Sequence, residues 1–369
     1  MDQLLQRMEQ SDQEGAWELV RDDIAKEGRA WEIHLSLFPL VQRVENPPFI
    51  NPHLPKMYRI IREFLPCLDA DDLPPLVRLE INEYTRRPTS AVPAKPLRQP
   101  PSVTFAEIEA AIREGERENT AALMQAFLEL QGKSELARRL LLLGSGYLDR
   151  SLGHSISCTA FILLEMIERH DQDPWPALGT LAEYFCRGHF HTTPELRASE
   201  AISPSAELDR HLLRATSGYG IVNLHHTITR YAVERVRHLL SEAEFAHMIA
   251  CWIDFLGSKE ETPPADTSAE APADYASFSR YFSKREEQPV LSALAGLISS
   301  PEGRLQLGRY LVKGVCDQYQ GDYNPHFLTG LGAALWVVDS YPDRPSIAMH
   351  ALRQYLNYFF YPEGPATGS

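Results

Sequence analysis

Thirteen histidines in 369 residues are the side chains through which this chain can do chemistry, because several fall where a solvated helix face would not put them. Trp31-Glu32-Ile33-His34-Leu35 sets His34 inside an apolar helical stretch. Leu152-Gly153-His154-Ser155-Ile156 sets His154 in the first turn of a second helix, with Cys158 and Phe161 on its stripe. A third predicted helix, 219–240, has a polar face of Asn223, Thr227, Arg230, Glu234 and Arg237. His225 lies almost opposite that face, among Ile221, Ile228 and Ala232, and His226 lies nearer its edge. Asn324-Pro325-His326 opens a fourth helix whose next turns are small, at Gly330, Ala333 and Ala334, so that another helix can approach closely.

A helix N-terminus favours the neutral imidazole, which is the form that ligates metal. Imidazoles projecting inward from separate helices are how helical bundles build metal sites. Three or four such nitrogens suit iron, zinc or copper, with a position left open for substrate or dioxygen. A single buried histidine is more often a hydrogen-bonded core residue, so the joint placement of several carries the argument. The expectation is that His154, His326 and one of His225 and His226 converge on one metal, with His34 or His53 completing the shell. His53 follows Asn51 and Pro52, echoing Asn324-Pro325-His326. Pro55 is expected to keep Leu54 out of helical geometry and to leave His53 on a loop.

Other chemistries lack a motif. There is no phosphate loop, GxGxxG, GxSxG, HExxH or EF-hand pattern, and nucleophilic serine or cysteine catalysis has no local support. His189 and His191, two residues apart, could bind one metal but read more readily as a surface turn, and Asp317 and Asp322 either orient a ligand histidine from behind or solvate a loop.

The elements that must position these histidines are helical. Apolar residues recur at helical spacing nearly throughout, and alternating β-branched runs are almost absent. Thr104 with Glu107 and Ser241 with Glu244 read as capping boxes. Asp173-Pro174, Ser300-Pro301 and Asn324-Pro325 each place a cap before a proline at the first helical position. The fold is therefore predicted to be all-α, a multi-helix bundle-like domain with an N-terminal helical region. Residues 86–103 carry five prolines and read as a linker between the N-terminal region, 1–85, and a main domain, 104–369. Residues 258–274, rich in Pro, Ala, Glu and Asp, read as a loop interrupting that domain.

Composition narrows the partners. A net charge of −14 repels phosphates and anionic headgroups, so neither nucleic acid nor a membrane surface is expected. No apolar run approaches the ~20 residues that cross a bilayer; the best, 160–167, ends in charge. No signal peptide is apparent. Five scattered cysteines with no CxxC pair suit a reducing cytoplasm rather than a disulfide framework.

The order of these segments resembles the questin oxidase family, helical oxygenases of fungal aromatic polyketide metabolism with distant bacterial relatives. His34-Leu35 is similar to that family's early His-Leu helix. Gly153-His154-Ser155-Ile156 followed by Leu181-Ala182-Glu183 is similar to its mid-chain motif, with Cys158 where a second histidine is common. His226-Thr227-Ile228-Thr229 is similar to its His-x-Val-Thr, and Asp322-Tyr323-Asn324-Pro325-His326 to its late motif, with Thr329 in place of a lysine. The family pattern favours His226 where helical periodicity favours His225. The resemblance implies a non-haem metal, iron, bound by histidines; zinc is the alternative that the nitrogen ligands themselves would also suit. The resemblance also implies oxidation of an aromatic or hydrophobic small molecule by dioxygen, in a pocket to which Trp31, Tyr219, Tyr323, Phe327 and Trp336 could contribute. The competing class is a non-catalytic helical scaffold or protein-interaction module, which would usually show a repeat of fixed period; no such period is present.

Overall fold

A computed structural model describes residues 2–24, 26, 28–91, 95, 102–197, 205–259, 274–321 and 324–363. The regular structure among them is helical, with two isolated extended pairings, Val44 with Thr89 and Asn46 with Phe49. The predicted all-α fold is what forms. No helix among the described residues is long and apolar enough to cross a membrane.

The local signals act where the sequence places them. Thr104 and Glu107 cap the helix Phe105–Glu114 reciprocally, and Ser241 and Glu244 do the same for Glu242–Leu256. Ser300 caps Pro301–Asp317, with Pro301 in the first turn. At two sites the helix starts one residue later than the proline rule predicts. Pro174 and Pro325 occupy the capping position, while the preceding Asp173 and Asn324 accept the amides of Trp175 and His326 at 3.1 and 3.0 Å.

Four helices form the frame of the molecule's interior: His53–Phe64, His154–Glu168, Gly220–Arg235 and His326–Ser340. Each packs on two of the others in cyclic order, so the four close on themselves. The His154 helix is apolar on all sides and is buried from His154 to Met166, as a central helix must be. Salt bridges lock its far end to the His53 helix. Arg62 donates to the fully buried Glu165 at 2.7 Å and Arg59 to Glu168 at 2.8 Å.

Close approach elsewhere in the ring depends on small residues. A Cβ on Gly332 would stand 2.6 Å from Ile60 Cγ2, and one on Gly330 would stand 2.9 Å from Leu224 Cδ2. The small residues after His326 thus bring that helix against both the His53 and the Gly220–Arg235 helices, as their size suggests.

Two expectations are corrected. Pro55 does not hold His53 on a loop: the helix begins at His53, with Pro55 inside its first turn. Amides there have no intrahelical partner, so a proline costs little. The polar face assigned to 219–240 is not solvated as a whole either. Thr227 is buried and bonds Gln354 at 2.7 Å, and Arg230 is buried with its guanidinium over Trp252 and Trp336.

The predicted linker and loop fall partly outside the described residues, at 92–94, 96–101 and 260–273. The linker's first residues are tied to the body: Glu45 donates to the Pro88 carbonyl at 2.9 Å and Ser90 to that of Arg43 at 2.8 Å.

Candidate metal centre

Three of the four framing helices begin with a histidine, and all three imidazoles meet at one point. His53, His154 and His326 are buried and offer ligand atoms within 4.8 Å of one another. His225, in the second turn of its helix, closes the set. Around the ring the Nε2–Nε2 distances are 2.7 Å from His53 to His154, 3.0 Å from His154 to His225 and 3.0 Å from His225 to His326. Ring centroids of His53 and His326 are 4.8 Å apart, which completes a four-sided figure in the same cyclic order as the helices.

The outer nitrogens bear on whether this group could hold a metal ion. His154 Nδ1 lies 2.8 Å from the Ser151 carbonyl, His225 Nδ1 2.7 Å from the Ile221 carbonyl, and His326 Nδ1 2.8 Å from Asn324 Oδ1. Oxygens of this kind only accept, so each Nδ1 carries the proton and each Nε2 presents a lone pair inward. Two lone pairs 3.0 Å apart repel unless a cation or a proton lies between them. That donor set fits a metal ion. Cis ligands at a metal–nitrogen distance of about 2.1 Å sit about 3.0 Å apart at right angles and about 3.4 Å apart at tetrahedral angles. The two 3.0 Å edges, from His225 to His154 and to His326, are of the right-angled spacing.

His53 differs from the other three. Arg87 donates to Asn46 Oδ1, which turns Asn46 Nδ2 toward His53 Nδ1 at 3.2 Å. His53 therefore accepts on Nδ1, holds its proton on Nε2 and donates to His154. To ligate, it must move that proton outward and Asn46 must turn its amide over. Proximity alone groups His53 with His154 and His326; the outer hydrogen bonds rank His225 ahead of His53.

Burial, first of all, holds all four imidazoles well below the ordinary value of 6.5, His225 at about 3. For His154 and His326 the largest charge effect is the neighbouring His225; for His53 and His225 it is Lys56, one turn along from His53 and itself lowered by burial. The unfolded chain takes up protons below pH 6.5 that the folded chain refuses. Stability is accordingly full above that pH and is lost as pH falls from it toward about 3. Each histidine contributes up to about 1.4 kcal/mol per pH unit. Denaturation midpoints of metal-free protein should fall steeply between about pH 6.5 and 5, and a His225→Gln/His326→Gln variant should show a shallower fall. A pH-independent midpoint would contradict the buried, neutral state of the ring.

Two candidate ligands stand elsewhere. His34 is sandwiched between Trp31 and Tyr58, with Nδ1 2.8 Å from the buried Glu80 carboxylate. It is a paired core residue. His226 points to the other side of its helix from His225. Its ring meets Phe255, and its Nδ1 lies 3.5 Å from Lys259 Nζ. Periodicity and the motif pattern point to different residues; both are buried, and of the two it is His225 that lies in the ring. Asp317 accepts from Tyr275 at 2.6 Å, and the role imagined for it is filled by Asn324; Asp322 and Tyr323 lie outside the described residues.

A cavity of about 910 Å³ opens over the ring, with His53, His154, His225 and His326 in its lining. Phe49, Ile50, Phe190, Ile221, Phe327 and Tyr358 supply its apolar walls. Of the aromatics expected to contribute, Phe327 is present. Trp31 instead stacks on His34, Trp336 on Tyr231, and Tyr219 lies beneath Arg353.

No protein-family model matches the chain, and neither the curated proteins nor the solved structures hold a significant match to it.

Proposed function

We propose that the histidine ring holds a non-haem iron and that the protein is an oxygenase acting on an aromatic or hydrophobic small molecule. The observation that carries this reading is the set of three inward lone pairs, on His154, His225 and His326, fixed by carbonyl oxygens behind them and facing a cavity of about 910 Å³. His53 would complete the shell once its proton moves to Nδ1 and Asn46 turns its amide over. The three imidazoles would hold an ion that accepts further ligands from the cavity side, as iron does. The resemblance to the questin oxidase family supports the same chemistry.

A ferrous ion with open positions supplies one-electron and dioxygen chemistry that no side chain here offers. The chain's own residues do the rest. Ser151, Ile221 and Asn324 hold the ligand tautomers and ring angles. Phe190, Phe327 and Tyr358 line the space above the ring and exclude water from an apolar substrate.

Protein reconstituted anaerobically with ferrous ion is expected to retain about one iron per chain and to consume dioxygen only when a substrate is present. One equivalent of tightly held zinc with no oxygen uptake would replace oxidation with Lewis-acid chemistry. Retention of no metal at all would leave the helical scaffold as the better reading.

A further inference from the structure

The cavity over the histidine ring inverts the charge of the molecule that contains it. Acidic residues outnumber basic ones 50 to 36 in the whole chain. The charged residues lining the cavity are instead Arg86, Arg87, Arg150 and Arg187, with Glu363 the one carboxylate among them. Two of the arginines are partly neutralised, since Arg86 Nε and Arg87 Nη2 share the buried Glu83 carboxylate at 2.9 and 3.1 Å. The other two are not held in this way. Arg187 is exposed and stands 3.6 Å from Glu183, a carboxylate that already takes Arg117 at 2.9 Å. Arg150 is exposed and has no ion-pair or hydrogen-bond partner among the described residues. The first turns of the His53, His154 and His326 helices, with the positive ends of their dipoles, lie at the same cavity.

Apolar walls select a hydrophobic body, and a guanidinium fork selects a planar oxyanion, which it binds with two parallel hydrogen bonds. We infer that the substrate of this site is an aromatic carboxylate, its ring against Phe190 and Phe327 and its carboxylate held at the mouth by Arg150 and Arg187. The inference rests on the proposed function only in taking this cavity as the substrate site; the identity of the metal does not enter it. Arg150 follows Leu148 and Asp149 in the short helix that leads to Leu152, Gly153 and His154, and Arg187 is in the last turn of Trp175–Gly188. Two separate segments thus each contribute a cation to the cavity lining.

The test uses the full chain stripped of metal with a chelator, so that a carboxylate cannot bind through the ion. 2-Naphthoate and its neutral isostere 2-naphthamide are titrated by calorimetry at low ionic strength. Naphthoate is expected to bind at least about ten-fold more tightly. The Arg150→Gln/Arg187→Gln variant, with both changes at exposed positions, should reduce that preference to within about three-fold. Its naphthamide affinity should change less than its naphthoate affinity. Equal affinities in the wild-type protein overturn the inference, as does naphthoate binding indifferent to the double replacement or the absence of any naphthoate binding at millimolar concentration. Metal content, measured separately on untreated protein, reports on the histidine ring whatever the outcome of the titration.

Discussion

His154→Ala is expected to reduce retained metal from about one equivalent to below about a tenth, while the protein remains folded. His154 is the member of the ring whose Nε2 lies closest to two others, at 2.7 Å from His53 and 3.0 Å from His225. Its loss leaves His225 with His326 as the one adjacent pair of lone-pair donors, and two imidazoles hold a divalent ion weakly. His34→Ala is the informative contrast, because it removes an equally buried imidazole from outside the ring. There the Glu80 carboxylate would remain buried with only the Tyr84 hydroxyl, at 3.0 Å, to satisfy it. A loss of about 3 kcal/mol in stability with full metal retention is expected. Elemental analysis after gel filtration, paired with chemical denaturation, separates the two effects. Metal retained by His154→Ala would show that the ring is a packing cluster and not a metal centre.

Gly153→Ala is expected to cost several kcal/mol and to lower metal occupancy although it removes no ligand. Gly153 has φ of +76°, where a side chain is strained, and a Cβ there would stand 2.0 Å from Thr229 Oγ1. Leu152 before it is also left-handed, with φ of +52°. The two residues together turn the chain so that the next helix begins at His154 against the Gly220–Arg235 helix. Backbone strain and overpacking together amount to about 2–4 kcal/mol. Relief of the clash pushes the start of the His154 helix away from His225, which opens the 3.0 Å edge between their nitrogens. Gly153→Ala/Thr229→Ala should recover part of the stability, since it removes the hydroxyl but not the strained φ. A Gly153→Ala protein that melts with the wild type and keeps its metal would mean that the two helices have room to spare at this point.

The helical architecture was legible in the sequence because its causes are local. Caps, prolines and apolar spacing act within a few residues, and the boxes at Thr104 and Ser241 form as written. The site was legible only in part. His154, His326 and the pair His225 and His226 stood out because each interrupts an apolar stripe or leads a helix, and those are properties of a single segment. His53 was ranked low on account of Pro55, yet the repeated Asn-Pro-His was the signal that it starts a helix as His326 does.

What no single segment contains is the pairing between helices. His34 sits in an apolar helix no less convincingly than His154, and only packing against Tyr58 and Glu80 reveals it as a core residue with its own partner. The direction of each lone pair is likewise set by oxygens that reach the ring once the turns around it have formed, and for His53 by Asn46 and Arg87 from other parts of the chain. The four arginines of the cavity are scattered from 86 to 187 and read singly as ordinary surface charge. The sequence determined which helices form and which imidazoles they carry. The tertiary structure decided which of those imidazoles face one another, because their distances depend on contacts between helices, at Gly153, Gly330 and Gly332, that lie far apart along the chain.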